Sequence, residues 1–122
     1  MATDLYALAD SLGVRIIEGL DVPGVRGAYH HPTRTIALAR GMTAREYSSV
    51  LAHELAHAVH GDMHSDCSSA VEAARDRQAA RWLIDRADFA RAARLYPYYA
   101  DLIGAELGVT AELVHAYTST PV

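Results

Sequence analysis

The chain has 122 residues, a length that predicts one domain over residues 1–122. Its composition, 51% hydrophobic and 21% charged, is that of a globular protein and excludes a disordered one. The net charge of −4 argues against a general nucleic-acid-binding protein, and the single cysteine, Cys67, excludes an internal disulfide. The sequence has no apolar run of membrane-spanning length and no signal-peptide pattern, so we expect a cytoplasmic protein.

The first third of the chain predicts one helix and a small sheet. Thr3 is a suitable N-cap for a helix that runs to about Leu12 and ends at Gly13. Apolar segments separated by turn residues then predict three strands, over residues 14–20, 25–30 and 35–39. We expect these strands to form a small, mainly antiparallel sheet.

The remainder of the chain predicts helices. Thr43 and Glu46 form a capping-box pattern, which predicts a helix that runs to about His60 and ends at Gly61. Ser69 and Glu72 form a second capping-box pattern. Further helices are expected over residues 69–84, 88–96, 97–107 and 110–117. Because a sheet is followed by helices, the predicted class is α+β, with residues 97–118 forming a helical pair packed on the domain.

The helix predicted over residues 43–60 contains the motif His53-Glu54-Leu55-Ala56-His57. Residues four apart lie on one face of a helix, so both imidazoles are able to bind one ion. Glu54 lies about 100° around the helix from His53, where it reaches the attacking water without binding the metal. This spacing is typical of zinc hydrolases. The opposite side of the helix is expected to pack on the core through Leu51, Leu55, Ala58 and Val59.

A catalytic zinc ion commonly has three protein ligands, so the two histidines need a third group. One class of zinc peptidases has Gly and His three and six residues after the second motif histidine, but His60 and Met63 occupy those positions here. A carboxylate from the next helix is the alternative, and Glu72 in its first turn is the best candidate. Asp76, one turn further on the same face, would bind the metal itself or orient a ligating histidine.

Other polar residues leave alternatives open. His60 shares the face of the motif histidines and is a candidate ligand or proton donor, although a histidine beside a loop commonly has no catalytic role. Cys67 would either ligate zinc or fill space as a small, partly buried side chain. The sequence does not choose the group that stabilises the oxyanion from the candidates His60, Tyr29, Tyr96, Tyr98 and Tyr99.

Three stretches of the chain resemble the ImmA/IrrE family of metallopeptidases, in particular short members from actinobacterial phages and mobile elements. They are YHHPTRTIALA (29–39) with LAHELAHA (51–58), then EAARDRQAARWLI (72–84), and finally Leu107-Gly108-Val109-Thr110 with Val114 and Tyr117. Within the second stretch, Arg75 and Gln78 stand where the family commonly has small and aromatic residues. The resemblance spans nearly the whole chain.

The resemblance implies a compact zincin-like α+β domain. It implies that His53, His57 and Glu72 bind one Zn²⁺ and that Glu54 is the general acid/base. It also implies a zinc metallo-endopeptidase that cleaves a helix-turn-helix repressor of a phage or mobile element, and so controls lysogeny or induction in a bacterial host cell.

Two other interpretations remain open from the sequence. Residues 100–117 form a helix, a glycine-centred turn and a second helix, which resembles helix-turn-helix spacing and would indicate a DNA-binding or regulatory module with a non-catalytic zinc site. Phosphate contacts need Lys or Arg, whereas this segment carries Asp101, Glu106 and Glu112, so we expect no direct nucleic-acid binding. The third interpretation is a zinc protein without proteolytic activity.

Overall fold

The computed structural model describes residues 2–119 and shows a three-stranded sheet with helices packed against it. The elements follow one another along the chain as α1 (Leu5–Leu12), β1 (Arg15–Leu20), β2 (Gly27–His30), β3 (Thr35–Ala39), α2 (Ala44–His60), a 3-10 turn (His64–Asp66), α3 (Ser69–Leu83), α4 (Arg86–Leu95), α5 (Ala100–Leu107) and α6 (Ala111–Thr118). The predicted α+β class is confirmed. None of the helices in this part of the chain is long and apolar enough to cross a membrane.

The ends of α2 are set by the residues that the sequence indicates. The Thr43 side chain accepts a hydrogen bond from the backbone N–H of Glu46, and the Glu46 carboxylate accepts one from the backbone N–H of Thr43 at 2.9 Å. Gly61 adopts the left-handed conformation with φ of 63°, which a residue without a side chain adopts at low cost. The predicted capping box therefore fixes the start of the helix that carries the motif.

The predicted caps of two other helices are wrong by one residue. Asp4, rather than Thr3, caps α1, because its carboxylate accepts hydrogen bonds from two backbone N–H groups of the first turn. The backbone N–H of Thr3 instead donates to the carbonyl of Trp82 at 2.7 Å. Ser68, rather than Ser69, caps α3, since residue 68 is extended and Ser69 is already the first helical residue.

The sheet has the order β1-β3-β2, with β3 in the centre. The β2–β3 pair is antiparallel, with Tyr29 opposite Ile36, but β1 runs parallel to β3, with Ile16 opposite Ile36. The expectation of a mainly antiparallel sheet is therefore wrong for β1. The connection over residues 21–26 carries the chain past β3 to its other edge, and two successive reversals leave β1 and β3 pointing in the same direction.

Helix α2 lies at the centre of the molecule, in contact with β2 and β3 and also with α3. The largest fully buried side chains include Ile36, Leu38, Leu51 and Leu55, each at most 1% exposed. Burying one such side chain stabilises the fold by about 1.5–3 kcal/mol. Val59, by contrast, is 40% exposed, so its expected place in the core is wrong.

The two C-terminal helices α5 and α6 are bound to the first turns of α2. The Arg45 guanidinium contacts the Asp101 carboxylate at 2.7 Å and donates to the Asp101 carbonyl at 3.1 Å. The backbone N–H of Thr110 donates to the Ser49 hydroxyl at 3.1 Å, where both residues are buried. These contacts place the beginning of α6 beside the helix that carries the motif.

Candidate metal centre

Three side chains from two adjacent helices converge at one point. His53 and His57 come from α2, and their Nε2 atoms are 3.2 Å apart. Glu72 comes from the first turn of α3, and its two carboxylate oxygens lie 2.8 Å from the Nε2 of His57 and 3.1 Å from the Nε2 of His53. The structure therefore brings together the three residues that the sequence predicts as metal ligands.

A second carboxylate holds each histidine ring from behind. The Nδ1 of His53 lies 2.7 Å from Asp76, and the Nδ1 of His57 lies 2.9 Å from Asp62. When each ring carries its proton on Nδ1 and donates it to its carboxylate, both Nε2 atoms present a lone pair. Two lone pairs and a carboxylate then meet within hydrogen-bond distance, an arrangement that requires a cation or a shared proton between them.

The electrostatics of the site favour positive charge. Burial lowers the pKa of His53, but the hydrogen bond to Asp76 and the charges of Glu54, Asp76 and Glu72 act in the opposite direction and raise it to about 9. A group of carboxylates that raises the pKa of a partly buried imidazole so far also attracts a metal cation. Imidazole nitrogens with a carboxylate, each imidazole held by an outer carboxylate, form a donor set that fits a divalent transition metal.

Glu54 lies beside this point and is buried, with 9% of its surface exposed. Burial raises the pKa of its carboxyl group, and the neighbouring His53 and His57 partly offset that effect. A carboxylate whose pKa moves towards neutrality becomes a better proton acceptor and donor at working pH. The position and environment of Glu54 therefore suit a general acid/base.

A glycine allows the edge strand β2 to approach α2 closely. A Cβ atom placed on Gly27 would lie 2.6 Å from Val50 Cγ1 and 3.4 Å from Glu54 Cγ. A contact of 2.6 Å is too short, so a larger residue would require the Val50 side chain or strand β2 to shift. The missing side chain thus leaves room for the Glu54 side chain beside the edge of the sheet.

Two clefts meet along β2, and Val25, Gly27 and Glu54 line both of them. The first cleft, of about 460 Å³, extends from His53 towards the beginning of α6. The second, of about 360 Å³, extends from His57 towards the 3-10 turn. The outer edge of β2 lies along these clefts and pairs with no other described strand. The site is therefore open to a ligand longer than one residue on both sides.

Comparison with known proteins shows the family to which this chain belongs. The family model described as Peptidase M78, IrrE N-terminal-like domain, matches residues 9–119. The chain belongs to this family. No curated protein and no solved structure matches it. The resemblance to the ImmA/IrrE metallopeptidases is confirmed, and the M78 domain described here is a metallopeptidase, which acts on a protein substrate.

The remaining predicted site residues of this M78 domain are divided between the clefts and the surface. Asp76 orients His53, as described above. Tyr29 lines the second cleft, where burial raises the pKa of its hydroxyl group, and its oxygen lies 2.8 Å from the Nδ1 of His31. His60 is exposed and lines neither cleft, and its Nε2 lies 2.8 Å from the amide oxygen of Gln78. The three other candidate tyrosines also line neither cleft: Tyr96, Tyr98 and Tyr99.

Two residues that the sequence did not single out for a role also belong to the site of the M78 domain. His64 lines the second cleft beside Glu54, His57 and Glu72, and its charge lowers the pKa of Glu54. Asp62 holds the His57 ring. The one signal in the sequence was their location directly after Gly61, in the loop that joins the two ligand-bearing helices.

A second group of possible ligands in the M78 domain consists of His57, Asp62 and Cys67. The Cys67 sulfur lies 3.8 Å from the Nδ1 of His57. Arg75 already supplies positive charge to this group, since its Nε and Nη2 lie 2.5 and 3.2 Å from the Asp62 carboxylate. Burial, together with the charges of the neighbouring carboxylates, raises the pKa of the Cys67 thiol and so disfavours the thiolate that a metal requires. The group with Glu72 is the better metal centre.

Proposed function

We propose that this chain is a zinc metallo-endopeptidase in which His53, His57 and Glu72 bind one Zn²⁺ and Glu54 is the general acid/base. The observation that carries the proposal is the convergence of two Nε2 atoms and one carboxylate within 3.2 Å of one another. Glu54 lies beside them, and the two clefts meet at its side chain. Membership of a metallopeptidase family supports the same assignment.

Zinc is the metal that suits this donor set best. Two imidazoles and one carboxylate are a common set of ligands for catalytic zinc, whereas calcium and magnesium prefer oxygen alone. The carboxylates behind the two rings fix the orientation and the tautomer that such a ligand needs. When bound, the zinc ion polarises the scissile carbonyl group and lowers the pKa of water at the site.

The residues of the chain then move the protons of the reaction. Glu54 accepts a proton from the attacking water as the water oxygen bonds to the carbonyl carbon. The C–N bond then breaks, and Glu54 delivers the same proton to the leaving nitrogen, so one water is consumed for each peptide bond cleaved. Its burial supports this role, because a carboxyl group with a raised pKa returns the proton readily. Tyr29 and His64, in the wall of the second cleft, are the nearby donors for the oxyanion.

The substrate is an extended segment of a protein. The open edge of β2 offers backbone N–H and C=O groups along the clefts, and an extended peptide adds to such an edge as a further strand. Gly27 brings this edge against Glu54, so a peptide bound there passes the acid/base. As the ImmA/IrrE resemblance implies, we propose that the protein substrate is a helix-turn-helix repressor of a phage or mobile element in the cytoplasm of a bacterial host.

Replacing Glu54 with Gln tests the assignment. The amide keeps the size of the side chain but accepts no proton, so we expect zinc content to stay at one ion per chain while cleavage falls by about 10²–10⁴-fold. Zinc is measured by elemental analysis, and cleavage is measured on the repressor encoded nearest to the gene of this chain. Glu18→Gln, at an exposed carboxylate of β1 that lines neither cleft, is the matched control. Cleavage by Glu54→Gln at the rate of the unmodified chain would contradict the proposal.

The DNA-binding alternative receives no support from the C-terminal helices. Residues 100–118, which contain α5 and α6, include neither Lys nor Arg. Sequence-independent contacts to phosphates depend on those side chains. The α5–α6 pair instead contributes Thr110, Glu112 and Leu113 to the wall of the first cleft, so we assign it to substrate binding.

A further inference from the structure

Asp62 connects a candidate metal ligand to an arginine. Its Oδ2 lies 2.9 Å from the Nδ1 of His57 and 2.5 Å from the Nε of Arg75, and its Oδ1 accepts a second hydrogen bond from Arg75 Nη2 at 3.2 Å. All three side chains are largely buried, with 16% of Asp62, 8% of His57 and 14% of Arg75 exposed. The three groups therefore form a continuous chain that leads away from the metal centre.

The arginine fixes the plane of the carboxylate. Two N–H groups that bind both oxygens of one carboxylate hold its orientation, which a single contact does not. The backbone of Asp62 is also tied to the same histidine, because its N–H donates to the His57 carbonyl at 3.0 Å. Side chain and backbone of Asp62 are thus both positioned relative to His57, and the Arg75 guanidinium restrains the rotation of the carboxylate.

The two histidines are held in different ways. Asp76, which binds the His53 ring, has a side chain that is 39% exposed, and no arginine contact accompanies it among residues 2–119. The Asp62 side chain, which binds His57, is 16% exposed and carries the bidentate arginine. The carboxylate behind His57 is therefore held by an arginine, whereas no arginine among the described residues holds the carboxylate behind His53.

We propose that Arg75 is a positioning residue that, through Asp62, holds the His57 ring in the orientation and tautomer needed to bind the metal. The proposal rests on the metal centre described under Proposed function. Residues that hold a metal ligand from behind commonly change metal affinity by about 10–100-fold when they are removed. Arg75 does not contact the His57 ring itself but acts through Asp62, and its loss frees the Asp62 carboxylate to turn away from the ring.

The test compares the unmodified chain with Arg75→Met and Arg75→Lys. We expect Arg75→Met to raise the Kd for zinc by about 10-fold or more, measured by competition with a chromophoric chelator. The absorption bands of the cobalt-substituted chain should shift as well, because they report the geometry around the metal. Arg75→Lys keeps the charge but loses the bidentate contact, so its Kd should lie between the two. Arg81→Met, at an exposed position of the same helix, is the control and should leave both measurements unchanged.

A measurement without metal separates this inference from the proposed function. In the zinc-free chain, we expect NMR to detect the Nδ1–H of His57 as a slowly exchanging resonance, and we expect that resonance to be lost in Arg75→Met. If both arginine variants keep the resonance and the zinc Kd of the unmodified chain, the inference is overturned while the metal centre stands. If the unmodified chain binds no zinc, the proposed function fails, and the inference fails with it.

Discussion

Zinc should stabilise the fold through Glu72, because this one carboxylate joins α3 to both histidines of α2. Its oxygens lie 2.8 and 3.1 Å from the two Nε2 atoms, so a shared ion would connect the helices at this point. An ion that binds only the folded chain, present at 100 times its Kd, stabilises that state by about 2.7 kcal/mol. We expect the midpoint of thermal unfolding to rise accordingly when zinc is added.

The size of the shift follows from the chain length. Unfolding entropy is about 2.1 cal/mol/K per residue, which for 122 residues gives a rise in midpoint of about 10 °C. Glu72→Gln removes one of three ligands and should weaken binding at least as much as the loss of an outer partner, by about 100-fold. At the same free zinc concentration the variant then gains about 0.4 kcal/mol, or about 2 °C.

Calorimetry of the chelator-treated chain, with and without buffered zinc, measures both shifts. Glu112→Gln serves as the control, because it removes a carboxylate of the same kind in the neighbouring cleft and should keep the full rise. An equal rise in the unmodified chain and in Glu72→Gln would show that Glu72 is not a ligand. The three-residue centre would then be refuted, whatever else binds zinc.

Three further substitutions test the surroundings of the site. Gly27→Ala places a methyl group 2.6 Å from Val50, so urea unfolding should show a loss of about 1–3 kcal/mol, and unchanged stability would contradict the close approach. Ser49→Ala leaves the buried N–H of Thr110 without its acceptor and should cost about 1–3 kcal/mol by the same measurement; a cost near zero would mean that the hydrogen bond is dispensable. The hydrogen bond from the backbone N–H at the N-cap of α2 lowers the pKa of Glu46, so its stabilisation is present above the ordinary pKa of about 4.3 and is lost as the pH falls through the lowered value. The unfolding free energies of the unmodified chain and Glu46→Gln should therefore differ at about pH 7 and converge as the pH falls below the lowered pKa of Glu46, and a constant difference would refute the assignment.

The residues at the candidate centre were predictable because their placement depends on local geometry. His53 and His57 share one face through helical spacing alone, and the capping box at Thr43 identifies the helix that carries them. Glu72 was predictable because a short loop joins the two helices. Such a loop places the first turn of the next helix beside the helix that carries the motif. The structure brings all three together, and their role as ligands stays a prediction.

The features that the sequence did not reveal depend on contacts between distant residues. The parallel pairing of β1 with β3 is determined by the path over residues 21–26, which has no repeating pattern. The pairing of Asp62 with Arg75 depends on how residues 61–68 fold back. The sequence alone does not distinguish the carboxylate that makes this contact from the other carboxylate in the loop. The caps at Asp4 and Ser68 were misplaced because two adjacent residues of each site have side chains suited to capping.

Reactivity and recognition come from different parts of this molecule. The groups assigned to metal binding and proton transfer all lie on α2 and α3, two neighbouring helices in the middle of the sequence. The walls of the clefts come mostly from β2 with the residues before it, from the start of α6 and from the loop after α2. Those walls are free to diverge in shape and charge while the two helices stay the same. New selectivity could therefore evolve in such a small enzyme without any loss of its chemistry.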